Sequence, residues 1–93
     1  MLFMVIEHFK NRDAKAVYGR VGEKGRMLPK GLSYVSSWVE PDFSRCFQLM
    51  ECDNPHLFWQ WQAHWQDLID FEIVPVLSSI EAAEAANLIG RDD

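Results

Sequence analysis

The chain has 93 residues, of which 48% are hydrophobic, 13% aromatic and 25% charged, and its net charge is −5. This length and composition predict one small domain over residues 1–93. The acidic residues are spread along the chain and no basic run occurs, which disfavours nucleic-acid binding, and no apolar run approaches the ~20 residues of a membrane span.

The first two predicted elements are a strand and a helix. Residues 1–9 form an apolar strand that is too short for a signal peptide, so we expect the protein in the cytoplasm. Apolar residues then recur at helical spacing over residues 14–21. Asn11 or Asp13 is the expected cap of this helix, and Gly25 is its expected stop.

A hairpin is expected next. Residues 32–39 and 43–52 are rich in β-branched and aromatic residues, and Pro41-Asp42 between them predicts a two-residue turn. The length of the turn matters, because it decides which residues of the two strands lie opposite each other.

The second helix, residues 57–68, follows a cap at Asp53 or Asn54 and has Pro55 in its first turn. Its apolar stripe consists of Leu57, Trp61, His64, Trp65 and Leu68. A histidine in such a stripe is expected to be a packed, neutral structural residue rather than a catalyst.

A last strand over residues 71–77 precedes a short helix, residues 80–88, capped by Ser78 or Ser79, and a frayed tail at residues 89–93. The order β-α-β-β-α-β predicts a ferredoxin-like α+β fold, an antiparallel four-stranded sheet with helices on one face. Several strands are apolar on both sides, so the open face needs a cover. A second copy of the chain, in a homodimer, is the simplest one.

Strand alternation assigns side chains to the two faces of this sheet. Gln48 is polar among apolar neighbours, so we place it on the open face, away from the helices. The same parity places on that face Phe3, Val5, Glu7, Val35, Ser37, Cys46, Met50, Glu72, Val74 and Val76. The helix side receives Met4, Ile6, Tyr34, Trp38, Phe47 and Leu49. A hairpin turn one residue longer would exchange the two sets of the second strand.

The polar groups of the resulting cleft are Glu7, Ser37, Gln48 and Glu72. Within apolar walls they predict a small-molecule site, and the alternative is a wet dimer interface or strand ends in solvent. Glu7 and Glu72 could act as general acid and base, or each could pair with an arginine. Arg26, at the end of the first helix, suits the helix dipole and could also bind an acidic ligand or a carboxylate of the partner.

The sequence predicts neither a metal site nor a nucleotide-binding loop. The three histidines lack ligand spacing and no glycine-rich phosphate loop directly follows a strand, so we expect no cofactor. Cys46 and Cys52 lie on one predicted strand about 20 Å apart, too far for a disulfide.

Five stretches of the chain carry a resemblance to known proteins: MLFMVIE (residues 1–7), GRMLP (25–29), GL with YV and SWV (31–39), CFQLME (46–51) and FEIVPV (71–76). Over nearly the whole chain they are similar to a family of short, uncharacterised proteins, a domain of unknown function. The resemblance implies a ferredoxin-like, dimeric α+β barrel, in which two sheets pack face to face and small ligands sit in the cleft. Some members of that wider superfamily are monooxygenases or isomerases without a cofactor, but the resemblance supplies no catalytic residues.

Three functions remain open on these residues. The protein could bind a small molecule in the cleft, as a sensor or carrier. It could be a cofactor-independent enzyme on an aromatic or lactone-like substrate, with Glu7 or Glu72 as its base. It could also be a structural dimer that holds no ligand. Fold analogy does not choose among them.

Overall fold

A computed structural model describes residues 1–89 of the chain. Its elements are β1 (Leu2–Phe9), α1 (Ala14–Lys24), β2 (Ser33–Val39), β3 (Arg45–Glu51), α2 (Leu57–Gln62), β4 (Ile69–Val76) and α3 (Ser79–Ile89), with a 3-10 turn at Lys10–Arg12. The predicted β-α-β-β-α-β order and the ferredoxin-like α+β fold are confirmed. Residue 89 of the predicted tail ends α3, and residues 90–93 lie outside the described part.

The four strands form one antiparallel sheet in the order β2-β3-β1-β4. The apolar β1 is central, with Val5 opposite Gln48 of β3 on one side and opposite Ile73 of β4 on the other. Because β4 is an edge strand, it tolerates Pro75, which has no N–H to donate. α1 and α2 pack on one face of the sheet, which we call the inner face. We call the opposite face the outer face.

Local side-chain bonds fix the helix ends. Asp13 Oδ1 accepts a hydrogen bond from the Ala16 N–H at 3.1 Å, so the cap of α1 is Asp13. Gly25 ends the helix with a φ of 68°, as predicted. At α3, Ser78 Oγ accepts from the Glu81 N–H and Glu81 Oε1 accepts from the Ser78 N–H, both at 3.1 Å. This reciprocal pair is a capping box.

The core lies between the inner face and the two helices above it. Val5, Met50 and Phe58 are its most completely buried side chains. The Phe3 ring of β1 meets the Phe58 ring of α2 edge to face, with 5.1 Å between ring centres. Such a pair adds about 0.5–1.5 kcal/mol to the free energy of burial, so it fixes α2 against the centre of the sheet.

The faces of β1 and β3 are the reverse of those predicted from the sequence, whereas Glu72, Val74 and Val76 of β4 face outward as predicted. The inner face buries the β1 and β3 side chains that were expected to be open, namely Phe3, Val5, Glu7, Cys46, Gln48 and Met50. The outer face carries Met4, Ile6, Trp38, Phe47 and Leu49, which were expected in the core. The prediction was wrong because it kept Gln48 out of the helix side. In the structure the Gln48 amide is buried there and donates to Met50 Sδ at 3.3 Å.

The hairpin is longer than predicted. Its loop spans residues 41–44 instead of Pro41-Asp42 alone, and the Glu40 N–H donates to the Arg45 carbonyl at 2.9 Å across the loop. Two additional loop residues shift the register by two positions. The shift therefore preserves which β2 residues share a face with the inner-face residues of β3.

The β2 side chains divide around a bulge between Tyr34 and Ser36. Ser37 lies opposite Gln48 and so faces inward with it. The bulge brings Tyr34 to the same side, where its hydroxyl lies 2.7 Å from Ser37 Oγ. The predicted helix-side position of Tyr34 is thus confirmed. That of Trp38 is wrong, since Trp38 belongs to the outer face and is 56% exposed.

The second helix is shorter than predicted, and His64 is not part of it. α2 ends at Gln62, and the chain continues through tighter turns in which the His64 N–H donates to the Trp61 carbonyl. The helical spacing that placed His64 on the apolar stripe therefore stops before it. Its side chain is exposed, so the prediction of a packed structural histidine is wrong.

α3 is the least packed element of the described chain. Ile80 and Leu88 are each 74% exposed, and only Ala85 between them is partly buried. The outer face and α3 are therefore two apolar surfaces without a cover. Among residues 1–89, no helix has both the length and the apolar character that crossing a membrane requires.

Candidate functional site

A cavity of about 70 Å³ lies between the inner face, α1 and the region of α2, and we call it the Glu7 cavity. Its apolar walls come from both helices and the sheet. Its polar lining consists of Glu7, Tyr18, Arg26, Ser37, Cys46 and Gln48. These groups come from five separate parts of the chain and meet only in the folded protein.

Four of the five predicted ligand residues line this cavity. Of these, Glu7, Ser37 and Gln48 lie on the face opposite to the one predicted, and Arg26 lies in the α1–β2 loop. Glu72 is the exception. It lies directly opposite Ile6 on the outer face, where its Oε1 is 2.7 Å from His8 Nε2. The sheet separates Glu72 from Glu7, so the predicted carboxylate pair is wrong. Within residues 1–89 neither glutamate forms an ion pair with an arginine.

Glu7 is the buried carboxyl group of the cavity. It sits on the central strand, opposite Cys46 of β3 and Phe71 of β4, and is 7% exposed. Burial raises the pKa of Glu7 from 4.5 to about 7, against the smaller opposing effects of a hydrogen bond from Cys46 and the charge of Arg26. Both protonation states of the Glu7 carboxyl are therefore populated near neutral pH.

Cys46 is a protonated thiol and not a nucleophile. Burial, followed by the charge of Glu7, raises the pKa of Cys46 to about 12. A thiol reacts as its thiolate, which is negligible at neutral pH for such a group. Cys46 and Cys52 are both free and buried, consistent with the prediction that they do not pair.

Gln48 and Ser37 supply neutral polar groups. Gln48 is 6% exposed, and its amide donates to the Met50 thioether, which is a weak acceptor. Ser37 Oγ pairs with the Tyr34 hydroxyl. Among residues 1–89, no buried side-chain nitrogen or oxygen lacks a hydrogen-bond partner. Folding alone therefore does not demand a ligand in the cavity.

Arg26 is held at the cavity by its own backbone. Its carbonyl oxygen accepts hydrogen bonds from two indole groups, Trp61 Nε1 at 3.0 Å and Trp65 Nε1 at 3.1 Å. Its guanidinium carbon lies 3.7 Å from the centre of the Tyr34 ring, a close cation–π contact. The side chain is exposed overall, so the cation stands where the cavity meets solvent.

A second arginine fixes the helices above the cavity. Arg20 of α1 donates two hydrogen bonds of 2.7 Å to the Asp67 carboxylate and one of 2.9 Å to the His64 carbonyl. The pairing lowers the pKa of Asp67 to about 2. Arg20 also lies 5.6 Å from the centre of the Trp65 ring. α1 is thereby tied to the segment between α2 and β4.

Sequence reasoning missed several parts of the site. Tyr18 belongs to the apolar helical spacing predicted over residues 14–21, and nothing in the sequence shows that a cavity remains beside it. Trp61 and Trp65 each donate a hydrogen bond to the Arg26 carbonyl. They lie 35 and 39 positions after Arg26 in the chain, a separation that no local pattern reveals. No group of metal-binding side chains occurs among residues 1–89.

The chain belongs to a family described as Domain of unknown function (DUF3303), which matches residues 1–89. This agrees with the resemblance to a family of short, uncharacterised proteins. No curated protein and no solved structure matches the chain. Membership in this family therefore brings no activity with it.

Proposed function

We propose that this member of the DUF3303 family binds a small molecule in the Glu7 cavity. The observation that carries the proposal is the convergence of four polar side chains from β1, β2, β3 and the α1–β2 loop on one apolar-walled cavity. They are Glu7, Arg26, Ser37 and Gln48. A few converging polar groups within apolar walls are the usual composition of a ligand site.

The weak hydrogen bond of the Gln48 amide gives a reason for a ligand to bind. Its amide donates to a thioether, so a ligand oxygen would replace a weak acceptor by a stronger one. One such exchange contributes about 0.5–1.5 kcal/mol to binding. A hydroxyl or carbonyl group on the ligand fits this position.

The four tryptophans provide a built-in test of where a molecule binds. Trp61 and Trp65 line the cavity, whereas Trp38 and Trp59 are 56% and 68% exposed away from it. In ¹H–¹⁵N spectra recorded against a library of small polar molecules, a cavity ligand should shift the indole signals of the first pair only. If no molecule shifts them, or if all four move together, binding in the cavity is refuted.

Two matched glutamate variants sharpen the test. Glu7→Gln should change the affinity for a molecule found in the screen, because Glu7 lines the cavity. Glu72→Gln should leave binding unchanged, since Glu72 lies on the outer face. Equal effects of the two variants would show that the ligand does not bind at Glu7.

A cofactor-independent enzyme of monooxygenase or isomerase type is the second candidate, and the ionisation of Glu7 favours it. A carboxyl with a pKa of about 7 can take up or release a proton at neutral pH, as a general acid or base must. If the protein turns over a bound molecule, Glu7→Gln should abolish turnover while the indole shifts of Trp61 and Trp65 persist. A binder without turnover supports the first candidate.

We also propose that the protein is a homodimer joined through its outer faces. Support comes from the apolar character of that face, which presents Met4, Ile6, Phe47 and Leu49 around the exposed Val74. A monomer seldom leaves so continuous an apolar surface in water. Sedimentation equilibrium should show a dimer at micromolar concentration. A monomer would contradict the proposal, and a dimer without any cavity ligand would favour the purely structural function.

We propose a cytoplasmic location. The support is that Cys46 and Cys52 are both free thiols, which suits a reducing compartment. Cell fractionation with an antibody to the protein should place it with soluble cytoplasmic markers. Recovery with membranes or in the external medium would contradict this.

A further inference from the structure

We infer that the ligand of the Glu7 cavity is a short-chain monocarboxylic acid, with its carboxylate on Arg26 and its carbon chain in the cavity. This inference rests on the proposed small-molecule function and adds the charge and size of the ligand to it. Three observations carry it: the free edge of Arg26, the balance of charges in the cavity and the cavity volume.

The Arg26 guanidinium has its hydrogen-bonding edge available. Its guanidinium carbon lies over the Tyr34 ring, 3.7 Å from the ring centre, a separation that suits stacking through the flat face of the group. Stacking of this kind leaves the N–H donors pointing outward in a plane, where a carboxylate accepts two parallel bonds. Within residues 1–89 the ion pairs of the protein do not include Arg26. The two indole bonds to its carbonyl hold the residue in place for such a contact.

The charges that face the cavity favour one negative charge on the ligand. Around Glu7 stand the thiol of Cys46 from β3, the phenol of Tyr18 from α1 and the cation of Arg26 from the loop. α2 contributes the ring of Trp61 there, and β4 contributes the apolar side chain of Ile69. With the Glu7 carboxyl protonated, Arg26 is the single charge of the site, and a monoanion neutralises it.

The volume limits the ligand to a few carbon atoms. A cavity of about 150 Å³ holds benzene, a molecule of six carbons. The Glu7 cavity measures about 70 Å³, roughly half of that. Its apolar walls include Val17, Val21 and Ile69, which suit a hydrocarbon segment. A chain of about three or four carbons therefore fits with its carboxylate left at the mouth.

Binding of such an acid is linked to a proton on Glu7. An ionised Glu7 repels the anion and cancels the charge of Arg26, so the protonated form is the one that binds. Because burial raises the pKa of Glu7 to about 7, the anion should bind best below neutral pH. Apparent affinity should fall by about tenfold between roughly pH 6 and pH 8.

Propionate and propionamide are the probes, since they have nearly the same shape and differ in charge. Both are titrated into the intact protein, and binding is read from the indole signals of Trp61 and Trp65. Propionate should bind at least about tenfold more tightly, a factor that corresponds to one charge-assisted pairing. In Glu7→Gln the affinity for propionate should lose its pH dependence.

Two arginine variants separate the specific contact from general charge. Arg26→Gln should remove the preference for propionate over propionamide. Arg45 is the matched control, because its guanidinium carbon also lies near an aromatic ring, 5.1 Å from the centre of Phe47. Arg45 lies opposite His8 on the outer face, away from the cavity. Arg45→Gln should leave propionate binding unchanged.

The outcomes distinguish this inference from the function on which it rests. The inference of a short-chain acid is overturned if propionamide binds as well as propionate, or if only larger or uncharged molecules from the library shift the signals of Trp61 and Trp65. In either case the proposed binding function stands. If nothing shifts those signals, both fail. A preference for propionate that survives Arg26→Gln also overturns the inference.

Discussion

The inner and outer faces of the sheet have similar apolar side chains but different neighbours. On the inner face, α1 and α2 bury an apolar core together with two polar residues, Glu7 and Gln48. On the outer face, apolar side chains alternate with them along the same strands, and no helix within residues 1–89 packs on them. Apolar patterning thus indicates that a strand is suited to burial on both sides. It does not indicate which side the chain itself covers.

The two faces also differ in how they treat polar residues, as Gln48 shows. Burying an amide without a good partner costs about 1–3 kcal/mol, which argues for placing Gln48 outside the core. The protein nevertheless buries Gln48, and its amide lines the Glu7 cavity, where we propose that a small molecule binds. A polar residue in the middle of an apolar strand is therefore a sign of a cavity as well as of a solvent-facing side.

The largest expected difference between the faces is in stability. Phe58→Ala removes a ring that is 2% exposed above the inner face and should lower the free energy of unfolding by about 3–5 kcal/mol. Phe47→Ala removes a ring of the same size from the outer face, where it is only partly buried, and should cost about 1 kcal/mol in dilute protein. Urea unfolding measures both. Equal losses would contradict the assignment of the faces.

A single charge on the outer face should disrupt the proposed dimer interface. Val74→Arg places a cation beside Met4 on that face, and an uncompensated charge at an interface costs several kcal/mol. The dimer dissociation constant should rise by about 100-fold or more. Gln60→Arg, at an exposed position of α2, is the control and should leave it unchanged. Sedimentation equilibrium distinguishes the two, and an unaffected Val74→Arg dimer would place the interface elsewhere.

The inner face should reveal itself in the pH dependence of stability. The pKa of Glu7 is about 7 in the folded protein against 4.5 for an exposed carboxyl. Between these values the folded protein keeps a proton that the unfolded chain has released, so stability falls as pH rises from about 4.5 to about 7 and is then level. The total loss is of the order of 3 kcal/mol, at about 1.36 kcal/mol per pH unit.

Glu7→Gln should remove this pH dependence and make the protein more stable than the parent by about 1–3 kcal/mol near pH 8. Glu72→Gln, on the outer face, should retain it. Urea midpoints at about pH 5 and about pH 8 provide the comparison. A parent protein that is more stable near pH 8 than near pH 5 by this amount would reverse the sign and contradict the buried position of Glu7.

The smallest expected effect on stability belongs to Gln48→Leu. The amide is held by one bond to a thioether, so its replacement by an apolar group of similar size should change the free energy of unfolding by less than about 1 kcal/mol. Binding of a cavity ligand should weaken at the same time. A large loss of stability measured by urea unfolding would show that Gln48 is a structural residue rather than a ligand group.

Sequence reasoning succeeded where the signal is local and failed where it depends on packing. The stop at Gly25 was predicted directly, and the caps at Asp13 and Ser78 were each one of the two residues that the sequence offered. The faces of β1 and β3 do not follow from local signals, because both are apolar and one inference about Gln48 decided them all. The grouping of Glu7 with Gln48 nevertheless survived, because parity keeps residues together when a whole face is reversed.

The remaining failures have related causes. Glu72 lies on the open face, as predicted, but it was wrongly grouped with Glu7, because the register of β4 against β1 has no turn to fix it. His64 left its predicted stripe because α2 stops at Gln62, a boundary set by tertiary packing. The site around Arg26 depends on contacts across more than thirty residues, which helical and strand spacing do not encode.

The most direct measurement is a pH titration of the Glu7 carboxyl carbon by ¹³C NMR, with and without propionate. If Glu7 is a buried group of the ligand cavity, its midpoint lies near 7 in the free protein and moves higher when propionate binds. A midpoint near the ordinary 4.5, or one that propionate leaves unchanged while the signals of Trp61 and Trp65 shift, would contradict the placement of the site at Glu7.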